Sequence, residues 1–169
     1  MHVNALQRWI RHLRRGLAFA LGGLMLAMVG LNVTNVVARR GFGAAIPEAD
    51  ELMVFSMVWL VFLGAILVTA DGRHLGFDLV SRRLSGRPRA LHGIAIDVAI
   101  ALLAGYVAVQ SADVVGRLVR FDQRSMAAGI PMAIPHLAVL VGLAGTALLA
   151  AGRAVARIGA LMRDGAPDA

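Results

Sequence analysis

Asp97 is the polar residue of this chain that most needs a reason, because residues 91–109 around it carry no other charge. Placing a carboxylate in hydrocarbon costs about 3 kcal/mol or more. A proton or ion relay would use such a group, and so would a polar contact to a neighbouring helix or a partner protein. Asp97 stands without a second acid or an arginine in its own stretch. It lies only about 9 Å of helix rise from residue 91, close enough to a membrane boundary for water or Arg89 to reach it. It reads as a contact rather than a transport group, so Asp97→Asn is expected to spare function. His74, His92 and His136 raise haem ligation between facing histidines, as in small helical membrane subunits. His74 and His92 fall on one side of the topology derived below and His136 on the other, which leaves His74 with His92 as the one pairing open to a haem. Ser56, Ser111 and Ser125 have no base organised beside them, and the sequence holds no glycine-rich phosphate loop, HExxH pair or cysteine. The chain reads as a non-enzyme with no cofactor of its own.

The elements that must position these residues are membrane spans. Residues 16–37, 52–70 and 130–152 contain no Asp, Glu or Arg, and 91–109 contains only Asp97. At ~1.5 Å per residue, runs of about twenty apolar residues cross a hydrocarbon core ~30 Å thick. With 59% hydrophobic and 16% charged residues over 169 positions, almost nothing remains for a soluble domain. The expected fold is all-α: a single integral membrane bundle of four transmembrane helices. The first span follows a basic segment as a signal peptide does, but its 22 apolar residues exceed the usual signal core of about 7–15. It is read as an uncleaved helix.

The net charge of +7 comes from seventeen arginines and no lysine. They cluster at span ends, where guanidinium groups meet headgroups and anionic lipid, and leave no basic face for nucleic acid. Arg8, Arg11, Arg14, Arg15, Arg73, Arg82, Arg83, Arg87, Arg89, Arg153, Arg157 and Arg163 fall on one side, against Arg39, Arg40, Arg117, Arg120 and Arg124 on the other. The positive-inside rule then places both termini in the cytoplasm.

Between the spans, Val3, Leu6, Trp9, Ile10 and Leu13 recur at helical spacing among arginines. They predict an interfacial helix over residues 1–15, with a frayed basic tail as the alternative. Asn32, Thr34 and Asn35 near the end of the first span receive no chemical role. Pro47, Glu48, Asp50 and Glu51 suit the first turn of the second span. Phe77, Val80 and Leu84 share a face that predicts a second interfacial helix over 76–86, and residues 153–169 read as a cytoplasmic tail. The third span is rich in small residues, and the fourth opens on Pro131 and Pro135 before running regularly from His136.

Several motifs now fall in order. Asp50-Glu51-Leu52, then Trp59 to Ala65 with Gly64, then Arg73-His74-Leu75 and Asp78, then Ser125 to Pro131 with Gly129, and finally Pro135 run through the chain. In order and topology, over roughly residues 15–155, they resemble the small membrane subunit of tripartite ATP-independent periplasmic (TRAP) transporters, the DctQ type. The resemblance implies a scaffold subunit packed against a large membrane subunit that carries the substrate and sodium sites. A periplasmic substrate-binding protein would deliver an organic acid such as a carboxylate, and an ion gradient would drive uptake. It implies that Asp50 and Glu51 cap the second helix, that Trp59 packs there and that Gly64 makes a close contact. Arg73, His74 and Asp78 would form a network in the cytoplasmic turn, with solvated loop polarity as the alternative. Where the family often has an aromatic residue after the fourth-helix proline, this sequence has Met132 and Ala133. The competing readings are a stand-alone oligomeric transporter or channel built around Asp97, and a membrane anchor of a respiratory complex.

Overall fold

The computed structural model describes residues 2–44, 46–70 and 87–164. They form four helices: α1 (His2–Gly41), α2 (Pro47–Ala70), α3 (Arg87–Arg120) and α4 (Ala133–Asp164). Each contains a stretch long and apolar enough to cross a bilayer. The all-α architecture of four spans is therefore the one the sequence predicts, and the helix at 76–86 lies outside the described residues.

The helices are longer than the spans. Residues 2–15 run into the first span as one continuous helix of 40 residues, because neither proline nor glycine interrupts them before Gly16. α3 continues past residue 109 to Arg120, and its last turn holds Arg117 and Arg120, which suit the negative end of the helix dipole. α4 continues through residues 153–164, a stretch of Arg, Ala, Leu and Met that favours helix, so the segment read as a tail is mostly helical. The fourth helix starts at Ala133 rather than 130. Pro131 is taken up in a bridge with Arg124, and the Met132 amide donates to the Gln123 carbonyl at 2.9 Å.

Among the described helices, contacts set the order as α1, α2, α4, α3: α1 touches α2 alone, and α3 touches α4 alone. The result is an open row with α4 between α2 and α3. Along α1 the least exposed positions are Leu17, Leu21, Leu24, Met28, Leu31, Asn35 and Ala38, alternating four and three apart as in a helix seam. In lipid, association rests on close packing rather than on hydrophobicity, so small residues mark the contacts. On α3 the buried residues are Asp97, Ala104, Ala108 and Ser111, and on α4 they include Ala138, Gly142, Thr146, Ala150 and Ala154.

The tightest approach is between α2 and α4. A Cβ at Gly142 would lie 2.5 Å from Phe62 Cβ and 2.7 Å from the Phe62 carbonyl oxygen. Gly145 similarly admits Ile66, and Gly105 of α3 faces Ala147 of α4. Gly64, to which the resemblance assigns a close contact, has nothing within 4 Å of a would-be Cβ; within this chain that role falls to Gly142. Gly142→Ala is expected to cost about 1–3 kcal/mol through forced separation of backbones. Gly64→Ala in the isolated chain should leave the thermal unfolding midpoint in detergent unchanged, and equal effects at the two positions would contradict this packing.

Candidate functional site

The described ion pairs and interhelical side-chain hydrogen bonds gather at the two ends of the row. At one end, Asp97 is buried, with its side chain 4% exposed, and its two oxygens face two arginines from α4. Arg153 Nη2 approaches Oδ1 at 3.1 Å and Arg157 Nε approaches Oδ2 at 3.3 Å. Arg153 also donates through Nη1 to the carbonyl of Thr69. That carbonyl belongs to the last turn of α2, where helix C=O groups lack intrahelical partners and cations are favoured. One guanidinium thus caps α2 and neutralises a carboxylate on α3, although α2 and α3 do not touch.

Arg157 reaches Asp97 by lying across Gly93, where a Cβ would collide with its Nη1. The sequence reading left Asp97 without a basic partner in its own span and used Arg153 and Arg157 only to orient the chain. The missing signal was antiparallel register. Gly105 faces Ala147, so Asp97, eight residues earlier on α3, must face α4 near residue 155, between the two arginines. Asp97 thus makes an interhelical polar contact, and Asp97→Asn would leave two guanidinium groups without their counter-charge.

At the other end, α1 grips the start of α2. Asn35, 3% exposed, donates from Nδ2 to Asp50 Oδ1 at 3.1 Å and accepts the Ile46 amide at Oδ1, also at 3.1 Å. Arg39 lies 3.6 Å from Asp50 Oδ2, and Asn32 donates to the Met53 sulfur. Asn35, given no role from sequence, is thus the residue that joins the two helices. Glu51, read as a helix cap, instead accepts the Ala128 amide at 2.7 Å and so ties α2 to the α3–α4 connection. That connection closes on itself. The Ser125 amide donates to the Ile130 carbonyl at 2.9 Å, Ser125 Oγ accepts the Ile130 amide at 3.0 Å, and Gly129 turns the chain at φ +65°. A positive φ of this size favours glycine.

Glu51, Ser125 and Gly129 are thereby brought together, while Pro131 and Pro135 frame the start of α4, with Pro135 buried. Trp59 is half-buried on α2. Arg73, His74 and Asp78 lie outside the described residues. His92 and His136 sit near the starts of adjacent antiparallel helices, hence at opposite ends of the row, and His136 Nδ1 is 2.8 Å from its own helix's Met132 carbonyl.

Residues 28–160 match the family model for the DctQ component of tripartite ATP-independent periplasmic transporters. The chain belongs to the DctQ family. It is similar to a protein of Haemophilus influenzae described as a TRAP transporter small permease, with 24% identity over 148 residues, 87% of this chain and 89% of that one. It is also similar to the isethionate TRAP transporter permease protein DctMQ of Oleidesulfovibrio alaskensis, with 28% identity over 107 residues, 63% of this chain and 17% of that longer protein. This DctQ chain is accordingly a transport component and a multi-pass protein of the inner membrane. The matched residues contain both polar ends, from Asn35, Asp50 and Glu51 to Asp97, Arg153 and Arg157.

Removing one member of a buried charge cluster typically costs about 3–5 kcal/mol, because the remaining charges stay buried and unpaired. Asp97→Asn in this DctQ chain should lower the unfolding midpoint in detergent accordingly. Adding Arg157→Gln should recover part of the loss, because Arg153 keeps the Thr69 carbonyl. No change on Asp97→Asn would remove the cluster from the account of stability.

Proposed function

We propose that this chain is the small, non-catalytic scaffold subunit of a sodium-gradient-driven TRAP uptake system for organic acids. It packs against the large membrane subunit and works with a periplasmic substrate-binding protein. The observation that carries the reading is where the polar groups lie. Asp97 is committed to Arg153 and Arg157 at one end, and Asn35, Asp50 and Glu51 have partners at the other. Residues 16–38, 52–70, 98–112 and 137–152 of the four helices carry no carboxylate, histidine or arginine, and Asp113 of α3 lies just past that stretch, four residues before Arg117. Sites for anionic substrates and their coupling ions near the midplane are assembled from polar ligands and broken helices. The substrate and sodium sites therefore belong to the large subunit.

The pairing itself draws support from the Oleidesulfovibrio relative. Its name joins DctM and DctQ, and the stretch similar to this chain makes up 17% of its length. The substrate named for it, isethionate, is an organic sulfonate, which agrees with organic acids as the class. The open row suits a scaffold, because it leaves aliphatic and aromatic side chains such as Phe19, Leu26, Leu102, Leu103 and Tyr106 exposed to lipid or to neighbouring helices.

Affinity purification of the tagged chain, co-expressed with its neighbouring genes, should recover a large polytopic membrane protein at one-to-one stoichiometry. Sodium-dependent uptake of a labelled organic acid should require both proteins. Uptake by a homo-oligomer of this chain alone would overturn the proposal. The arginine distribution puts the Asp97 end in the cytoplasm. The chain lacks cysteine, so single cysteines report sidedness directly. A cysteine replacing Met126 should react with an impermeant maleimide in intact spheroplasts, and one replacing Met162 only after permeabilisation; the reverse pattern would invert the topology.

A further inference from the structure

We propose that the α3–α4 seam binds the phosphate of an anionic phospholipid through the outward edge of Arg157, with Arg153 behind it. The first ground is charge. Asp97 supplies one negative charge against two guanidinium groups, and each of its oxygens already faces one arginine. Among the described residues no other acid pairs with either arginine, so the cluster carries an excess of one positive charge.

The second ground is the supply of donors. Arg153 donates from Nη1 to the Thr69 carbonyl and forms an ion pair with Asp97 through Nη2, and its Nε and Nη2 are both buried without a hydrogen-bond partner. Arg157 presents only Nε to Asp97. Its two Nη groups have no acceptor among the described residues, and its side chain is 46% exposed, against 23% for Arg153. Gly93 leaves room for Nη1 of this guanidinium against α3, where a Cβ would collide with it. With Nε turned to Asp97 and Nη1 against Gly93, Nη2 remains to donate a charge-assisted hydrogen bond to a phosphate oxygen.

The third ground is depth, which selects the lipid as the source of the phosphate. Asp97 lies about 9 Å of helix rise inside the apolar stretch that begins at residue 91. A long side chain such as Arg157 extends toward the headgroup level from such a position. Leu91 and Val98 are exposed on α3, giving an acyl chain an apolar surface on the helix against which Arg157 lies. Phosphate, charge and acyl chain are satisfied together by one anionic lipid. The inference rests on the membrane placement of the chain and not on its transport role.

Native mass spectrometry of the full chain in mild detergent, titrated with dioleoyl-phosphatidylglycerol, dioleoyl-phosphatidylcholine or inorganic phosphate, tests it. One phosphatidylglycerol should be retained in preference to phosphatidylcholine, and excess inorganic phosphate should not displace it. Loss of the charge-assisted hydrogen bond in Arg157→Gln should weaken retention by roughly tenfold or more. Arg163→Gln, the same charge change two turns further along α4, should leave it intact. Arg157→Lys, which keeps the charge but lacks the fork, should fall between and serves if the glutamine variant unfolds. Undiminished retention in both Arg157 variants, equal retention of the two lipids, or displacement by inorganic phosphate would each overturn the proposal. In the last case the seam is a site for free phosphate; in the others its charge is met within the polypeptide.

Discussion

The guanidinium of Arg153 reaches two helices that do not touch each other among the described residues, donating a hydrogen bond to the Thr69 carbonyl on one side and forming an ion pair with the Asp97 carboxylate on the other. A row of helices in lipid has no hydrophobic pressure closing it, so its cohesion comes from packing and polar contacts. The rest of the arrangement follows from that contact. With α4 holding α2 and α3 at the same level, Gly142 meets Phe62 and Gly105 meets Ala147, and the small-residue stripes lie in register. The opposite end is fixed by a second set of bonds, from Asn35 to Asp50 and from Glu51 to the Ala128 amide. α2, α3 and α4 are therefore tied at the Asp97 end and α1 is tied to α2 at the other, with small or aliphatic groups packed between.

This distribution separates stability from transport. A transporter that moves ions through its own helices keeps polar groups unsatisfied or exchangeable near the midplane. Here the ion pairs that join helices lie at the ends of the row, and residues 98–112 and 137–152 between them carry no carboxylate, histidine or arginine. The match of residues 28–160 to the DctQ component agrees with a chain whose fold is its contribution.

Four spans were legible in the sequence because length and hydropathy determine them, and the antiparallel pairing of α1 with α2 and of α3 with α4 follows from the connections, whereas the parallel contact of α2 with α4 does not. Helix ends were less legible. A hydropathy boundary marks where lipid stops, whereas helix formation depends on propensity and capping, so α1, α3 and α4 run on through polar residues. The partner of Asp97 was hidden for a related reason: Arg153 lies just beyond the apolar run of α4 and so counted as a topology marker, not as an intramembrane group. Asn35 was missed because an asparagine near a boundary faces water as readily as a neighbour, and only the docking of α1 on α2 decides between them. The motif from Ser125 to Pro131 was visible as a pattern, yet its meaning is a closed turn held by Glu51, a residue more than seventy positions earlier.

The position of α4 in the middle of the row also governs how the protein can be built. During synthesis α1 and α2 enter the membrane first and can pair at once. α3 follows with its carboxylate exposed to lipid and finds neither α1 nor α2 as a contact. Only when α4 has entered does α3 gain a neighbour and α2 gain its second one. The last helix to leave the ribosome is thus the first that can close the structure, and until then α3 must wait in the membrane or at the translocon with Asp97 uncompensated.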